Sequence, residues 1–264
     1  MRRPARALPA ALAVVGAAAL ALLVLLPVVA LITRAPWSAA LGVLGQDANR
    51  TALRLSLVVS TWALTLSVVL GFPIAWLLAR VDFRGRSLVR ALVTLPMVLP
   101  PVVGGVALLV AFGRRGLVGQ WLDRWLGVQL AYTTAAAVLA ATFVSLPFFV
   151  VTVEAALRGV DGRYEDAART LGAPPGFVLR HVTLPSIRGA LGAGAALSWA
   201  RALGEFGATI TFAGSFAGRT ETLPLAISEA LGTDVRAAIL LSLVLLAVSV
   251  AVLTGLRHRW LGAP

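Results

Sequence analysis

Between Ala7 and Ile32 the chain runs for 26 residues without one charged side chain. A hydrocarbon core about 30 Å thick is crossed by about 20 helical residues, so this run is long enough to span a bilayer. Five further apolar runs follow: Leu55 to Ala79, Ala91 to Gly113, a span at about 130–153 within Leu126 to Val153, Gly189 to about Ala213, and Ala237 to Leu256. Lipid offers no partner to backbone N–H and C=O groups, so segments of this length must satisfy them internally as α-helices. The pattern predicts an all-α, polytopic membrane protein with six transmembrane helices in a single domain over residues 1–264. Arg2, Arg3 and Arg6 ahead of the first run look like the basic start of a signal peptide. The apolar part of a signal peptide is roughly 7–15 residues, so the longer run reads as a retained helix.

Apolar residues make up 59% and charged residues 13% of the 264, against about a quarter charged in soluble domains. The net charge of +12 comes from 23 basic residues, all arginine. In a soluble protein such an excess points to nucleic acid. Here the arginines sit in short loops between apolar runs, where they set topology, and no nucleic-acid partner is expected. Fourteen of them fall on the side that holds both termini and the loop 158–188, eight on the other, and Arg201 lies inside a run. That asymmetry places both termini and the loop in the cytoplasm.

The absence of cysteine excludes disulfides, thiolate metal sites and thiol redox chemistry. Without lysine there is no GxxxxGK[ST] loop, so the chain cannot supply that kind of ATP site. His181 and His258 are the only histidines and belong to no metal-ligand spacing. Ser145, Ser198 and Ser228 lack a motif that would make any of them a nucleophile. No catalytic residue, metal or cofactor is expected.

The polar stretch Asp161 to Pro185 lies between the fourth and fifth runs. Asp161 suits an N-cap, Glu165 and Asp166 fall early in the helix that follows, and Arg169 sits four residues after Glu165. Tyr164, Ala167, Ala168 and Leu171 share one face. Gly172 can take the left-handed conformation that ends a helix, and Pro174 and Pro175 stop it from resuming. A second short helix is expected over Phe177 to Val182. Charge pattern alone allows a surface helix that merely caps a bundle. The spacing Asp166-Ala167-Ala168, Gly172, Val182, Leu184-Pro185 resembles the EAA motif of bacterial ABC importer permeases, with Asp at its first position in place of Glu. The resemblance implies a coupling helix that docks on an ATP-hydrolysing subunit through Tyr164, Glu165, Asp166, Ala167, Ala168, Leu171 and Gly172.

The third run contains Pro96, Pro100, Pro101, Gly104 and Gly105 within eleven residues, 95–105. Missing amide donors leave carbonyls unpaired, which lipid tolerates only beside protein or a wet cavity. A kinked packing helix is the other reading. The fifth run carries Arg201 and Glu205, which lie about 18 Å and 24 Å along a helix started at Gly189. A central charge costs roughly 2.5–3.5 kcal/mol on insertion scales, so neither faces lipid, and their i,i+4 spacing lets them pair. They read either as a structural ion pair or as part of a pathway or gate. Gly204 and Gly207 on either side of Glu205 allow close helix approach.

The segment Arg201 to Gly214, RALGEFGATITFAG, with Thr222 to Ile227, LPMVLPPVVGG at 95–105 and Phe112-Gly113-Arg114-Arg115-Gly116, resembles molybdate/tungstate importer permeases. The likeness covers most of residues 50–255. Sulfate/thiosulfate permeases share the Gly-Glu-Phe-Gly core and are close cousins. Ser215 stands where many molybdate relatives have Asn. The resemblance implies type I permease architecture in the bacterial inner membrane, as a dimer of this chain. It also implies two ABC ATPase subunits and an extracytoplasmic oxyanion-binding protein as partners. Pro100, Pro101, Gly104, Arg201, Gly204, Glu205, Phe206, Gly207 and Thr209 are the candidates for the path or gate. An ion-coupled secondary transporter is the alternative outside this class, since buried charges would suit one, but the paired repeats common in such folds are missing.

Overall fold

The computed structural model describes residues 7–260, and every regular element among them is helical. In chain order these are α1 (Ala7–Thr33), a 3₁₀ turn and α2 (Ala40–Gly45), α3 (Asp47–Arg80), α4 (Arg86–Val98), α5 (Pro101–Phe112), α6 (Gly119–Leu126) and α7 (Thr134–Gly159). The second half holds α8 (Gly162–Thr170), α9 (Pro175–Val178), a π-type turn, α10 (Leu184–Ser186), α11 (Arg188–Leu203), α12 (Gly207–Phe212), α13 (Leu223–Thr233) and α14 (Val235–Trp260). Arg2, Arg3 and Arg6, which contribute to the orientation argument, lie outside the described residues.

The centre is α7, with α3 and α11 against it. Helix α3 buries Ala52, Ser56, Val59, Ser60, Ala63, Ser67, Gly71, Ala75 and Leu78. These recur every three or four residues, which makes one face of small side chains where backbones approach closely. A Cβ added at Gly71 would meet Phe149 of α7 at 2.9 Å. One turn away, the Ser67 and Ser145 hydroxyls share a buried hydrogen bond of 3.2 Å. From Leu12 to Thr33, α1 carries apolar side chains all round and buries none of them fully: Leu12, Leu23 and Leu26 are 66%, 72% and 59% exposed. A helix apolar on every side and uncovered by its own chain is suited to lipid or to another subunit.

Six transmembrane helices were expected. Among the described residues four single helices are long and apolar enough to cross a membrane: Leu12–Thr33, Asp47–Arg80, Thr134–Gly159 and Val235–Val252. The third apolar run, where a kink or a break was expected, is α4 and α5, bent by 118°. Pro100 and Pro101 supply no amide donors and force the residue before them out of the α region. The chain is extended there, with ψ of 134° at Leu99 and 132° at Pro100. The fifth run breaks at Gly204 into α11, 16 residues, and α12, 6 residues.

Candidate functional site

The two broken runs pack against each other beside their breaks. Gly207, the first residue of α12, lies against Pro101, the first residue of α5, and a Cβ at Gly207 would meet the Pro101 Cβ at 2.8 Å. One turn along α5, a Cβ at Gly105 would meet the Ala208 carbonyl at 2.8 Å and the Thr211 Cβ at 2.7 Å. Gly104 lies against Phe143 of α7. Glycine at these positions is what lets the two helices touch backbone to backbone. Gly207→Ala should therefore lower stability by about 1–3 kcal/mol through overpacking on a rigid proline ring. Thermal melting of the purified protein checks this, with Gly176→Ala, where a Cβ meets nothing within 4 Å, as the unaffected control.

Glu205 sits in the second break and is 3% exposed. Its Oε2 lies 2.7 Å from Arg201 Nη1, so the expected pair is present by distance, although Oε2 accepts no aligned hydrogen bond. Its Oε1 accepts the Ala208 amide N–H at 2.8 Å. The carboxylate thus ties the end of α11 to the start of α12 and satisfies one of the free donors of α12. Sequence reasoning found the ion pair and missed the cap, because a helix six residues long leaves no periodic signal.

The candidates for the path divide into two groups. Pro100, Pro101, Gly204 and Phe206 are exposed and Arg201 is half-buried, while Gly104, Glu205, Gly207 and Thr209 are buried. The second group supports the first from behind. Thr209, at 1% exposure, cannot line an open surface in this conformation. Phe206 also borders a groove of about 550 Å³ with Pro224, Ile227, Ser228 and Leu231 of α13 and Ser242 of α14.

At the other polar segment, Asp161 caps α8 by accepting the Arg163 N–H at 3.0 Å. Gly172 has φ of +83° and ends the helix as expected. The second helix begins earlier than expected, at Pro175 with Pro174 as its N-cap, and continues through the π-type turn Leu179–Thr183 to Ser186. Tyr164 and Leu171 are 67% and 88% exposed, and Asp166, Ala167 and Gly172 are also exposed, with Ala168 half-buried. Glu165 is the exception and corrects its expected place on the docking face. It is 3% exposed and points into the protein, where Oε1 takes Arg80 Nη2 at 2.8 Å and the Thr183 hydroxyl at 2.9 Å. Arg169 Nη2 reaches Glu165 Oε2 at 3.4 Å, and Arg169 Nη1 reaches Asp166 at 2.9 Å.

A third buried carboxylate was missed. Glu154, 6% exposed at the end of α7, is held by Arg90 of α4 at 2.6 Å and by Arg158 at 2.7 Å. The Leu78 carbonyl, near the end of α3, accepts from Arg86 at 2.9 and 2.6 Å and from Arg158 at 3.1 Å. The signal was available: Glu154 is a lone acid closing an apolar run, four residues before Arg158. These arginines bind the ends of α3, α4 and α7 together.

At the opposite end of α5, the turn Gly113 to Gly116 presents Arg114 and Arg115 to a cavity of about 470 Å³ shared with Gln129 and Tyr132. Arg114 meets Asp123 at 3.1 Å. That hydrogen bond, with a second from Gln129, holds the Asp123 carboxyl below the usual carboxylate range.

The family described as "Binding-protein-dependent transport system inner membrane component" matches residues 67–262, three quarters of the chain. The chain belongs to this family. It is therefore a multi-pass permease of an inner-membrane transport system and not the catalyst of that system. The "Molybdenum transport system permease protein ModB" of Mycobacterium bovis is 47% identical over 236 residues, covering 89% of each chain. The "Sulfate transport system permease protein CysW" of a Synechocystis species is 37% identical over 217 residues, 80% of this chain and 77% of that one. Among solved structures, a bacterial ABC transporter for the polysaccharide alginate has a chain with a TM-score of 0.75 at 18% identity, covering 96% of this permease and 94% of that chain. At that identity the likeness speaks for the fold alone, and the fold is that of ABC importer permeases.

Proposed function

We propose that the chain is the transmembrane permease of an ATP-driven importer for molybdate, with tungstate as a second cargo. Two copies would form the path, two ATPase subunits would dock from the cytoplasm, and an extracytoplasmic protein would deliver the oxyanion. The observation that carries the cargo assignment is the 47% identity, over 89% of both chains, to a permease named for molybdenum transport. The oxyanion is cargo; no resident cofactor is invoked, and the whole of residues 1–264 is read as one permease domain.

Six crossings remain the reading, two of them broken. Arg90 of α4 pairs with Glu154 near the end of α7, while Leu108 of α5 packs with Ala136, Ala137 and Ala140 near its start. The bent pair therefore progresses along α7 from one end to the other, which supports a broken crossing over a returning loop. Both termini and α8 are placed in the cytoplasm by the arginine asymmetry. The exposed Pro100, Pro101, Gly204 and Phe206, with Arg201 beside them, are assigned to the path or gate, and the buried Gly104, Glu205, Gly207 and Thr209 to its support.

No covalent chemistry is required of this chain. Nucleotide-driven closure of the ATPase pair would displace α8 through Tyr164, Asp166, Ala167, Ala168 and Leu171, and the packed helices would change which side the path opens to. Such alternation needs a bistable interface rather than a reactive group. The Arg201–Glu205 pair beside the second break provides polar groups at depth without exposing them to lipid.

Sulfate is the competing cargo, favoured by the 37% identity to a sulfate permease. Radiolabelled molybdate uptake into proteoliposomes holding the complete transporter separates the two. Uptake that requires ATP and keeps at least about half its rate in about a hundredfold excess of sulfate is expected, which takes discrimination of about hundredfold, or about 2.8 kcal/mol. Strong inhibition by sulfate would reassign the cargo, and uptake driven by an ion gradient without the ATPase would replace the mechanism.

A further inference from the structure

We infer that Glu165 is a positioning residue that fastens the coupling helix to α3, making α3 the rod that carries the stroke across the protein to α13. The inference rests on the docking role proposed for α8. It departs from the expectation that Glu165 itself touches the ATPase. Helix α8 is joined by the chain only to α7 on one side and α9 on the other. Glu165 adds two further attachments through a single oxygen: Arg80, the last residue of α3, at 2.8 Å, and Thr183, 0% exposed in the π-type turn that leads to α11, at 2.9 Å. A carboxylate this deeply buried and gripped by two donors holds its geometry under load, because charge-assisted bonds of this kind are short and strong.

Arg80 ends a helix of 34 residues whose small-residue face lies along α7. Twenty-four residues before Arg80, and so about 36 Å away along that helix, Ser56 reaches α13. The Ser56 hydroxyl accepts the Leu223 N–H at 2.6 Å, with Ser56 2% and Leu223 0% exposed. Leu223 is the first residue of α13, which lines the groove that contains Phe206. One continuous helix therefore joins the Glu165 anchor to the element beside the exposed face of the second break.

The test uses the full complex in proteoliposomes with loaded binding protein, and reads oxyanion imported per ATP hydrolysed. Glu165→Gln is expected to lower that ratio about tenfold, the effect of losing one charge-assisted hydrogen bond, while ATP hydrolysis stays within about twofold. Exchanging the charges, Arg80→Glu with Glu165→Arg, should restore at least half of it. An unchanged ratio in Glu165→Gln, or a fall in uptake and hydrolysis together, overturns the inference in favour of a purely structural pair. If Glu165→Gln does not assemble, Thr183→Val removes one donor alone and must itself lower the ratio; an unchanged ratio there overturns it equally. Cross-linking of Leu171→Cys to the ATPase in the same membranes reports on docking separately. A cross-link with an unchanged ratio refutes only the rod, whereas no cross-link refutes the docking role beneath it.

Discussion

Glu205→Ala is expected to abolish uptake and to reduce sharply the amount of folded protein in the membrane. Two losses combine at this position. Removing the carboxylate strands the half-buried Arg201 guanidinium, 2.7 Å from Glu205 Oε2; a fully buried survivor would cost about 3–5 kcal/mol, and this partly exposed one costs less. It also removes the acceptor for the Ala208 N–H, a cap of about 1 kcal/mol on a six-residue helix that has little else to hold its start. Glu205→Gln keeps an acceptor oxygen and loses only the charge, so it should retain more protein than Glu205→Ala. The double change Arg201→Ala with Glu205→Ala should recover the charge part and not the cap part, leaving stability between the single variant and the parent. Membrane abundance and thermal melting of these four proteins and of Arg201→Ala measure the order. Simple additivity of Arg201→Ala and Glu205→Ala in the double variant would remove the pair.

The second large effect is expected at Gly172. Its φ of +83° lies in the left-handed region, and a Cβ placed there meets nothing within 4 Å, so the penalty comes from the backbone alone. A left-handed conformation costs an ordinary residue about 1–2 kcal/mol, Asn tolerates it, and a β-branched residue fits it worst. Gly172→Asn should therefore transport nearly normally, Gly172→Ala should be impaired, and Gly172→Val should unwind the turn after Leu171 and lose more than about nine tenths of uptake, which 1.4 kcal/mol suffices to produce. ATP hydrolysis by the assembled complex should continue in all three. Normal uptake by Gly172→Val would contradict the docking role of α8.

Those two sites also mark what could be read from the residues. Asp161, Gly172 and Pro174 act through local backbone chemistry, and the structure places all three as that chemistry dictates. The apolar runs announced helices, but not their ends: α3 begins at Asp47, eight residues before the run read from Leu55. What the runs do inside was only half legible. Three prolines announced a disturbance in 95–105, but whether it kinks or breaks the helix depends on what packs against it, and Gly207, which lies against Pro101, is more than a hundred residues away. Glu165 shows the same limit. Its spacing from Arg169 predicted a pair that exists at 3.4 Å, while its stronger partner, Arg80, comes from another helix at 2.8 Å. Periodicity within a helix cannot report a contact between helices.

Asp166 and Glu165 are adjacent acids with opposite fates, one exposed and one buried. A motif matched by residue type alone would treat them alike. Burial separates the residue that can meet a partner from the one that fixes the helix in place.

The claim on which the account turns is that the exposed face of α8 lies in the cytoplasm against an ATPase subunit. The chain contains no cysteine, so Leu171→Cys introduces a single thiol at a position 88% exposed. In the assembled transporter that thiol should cross-link to a cysteine in the groove of the ATPase, and in the permease alone it should react with a membrane-impermeant reagent only when the cytoplasmic side is opened. Labelling from outside the cell, or no cross-link in a complex that hydrolyses ATP and imports its oxyanion, would contradict it.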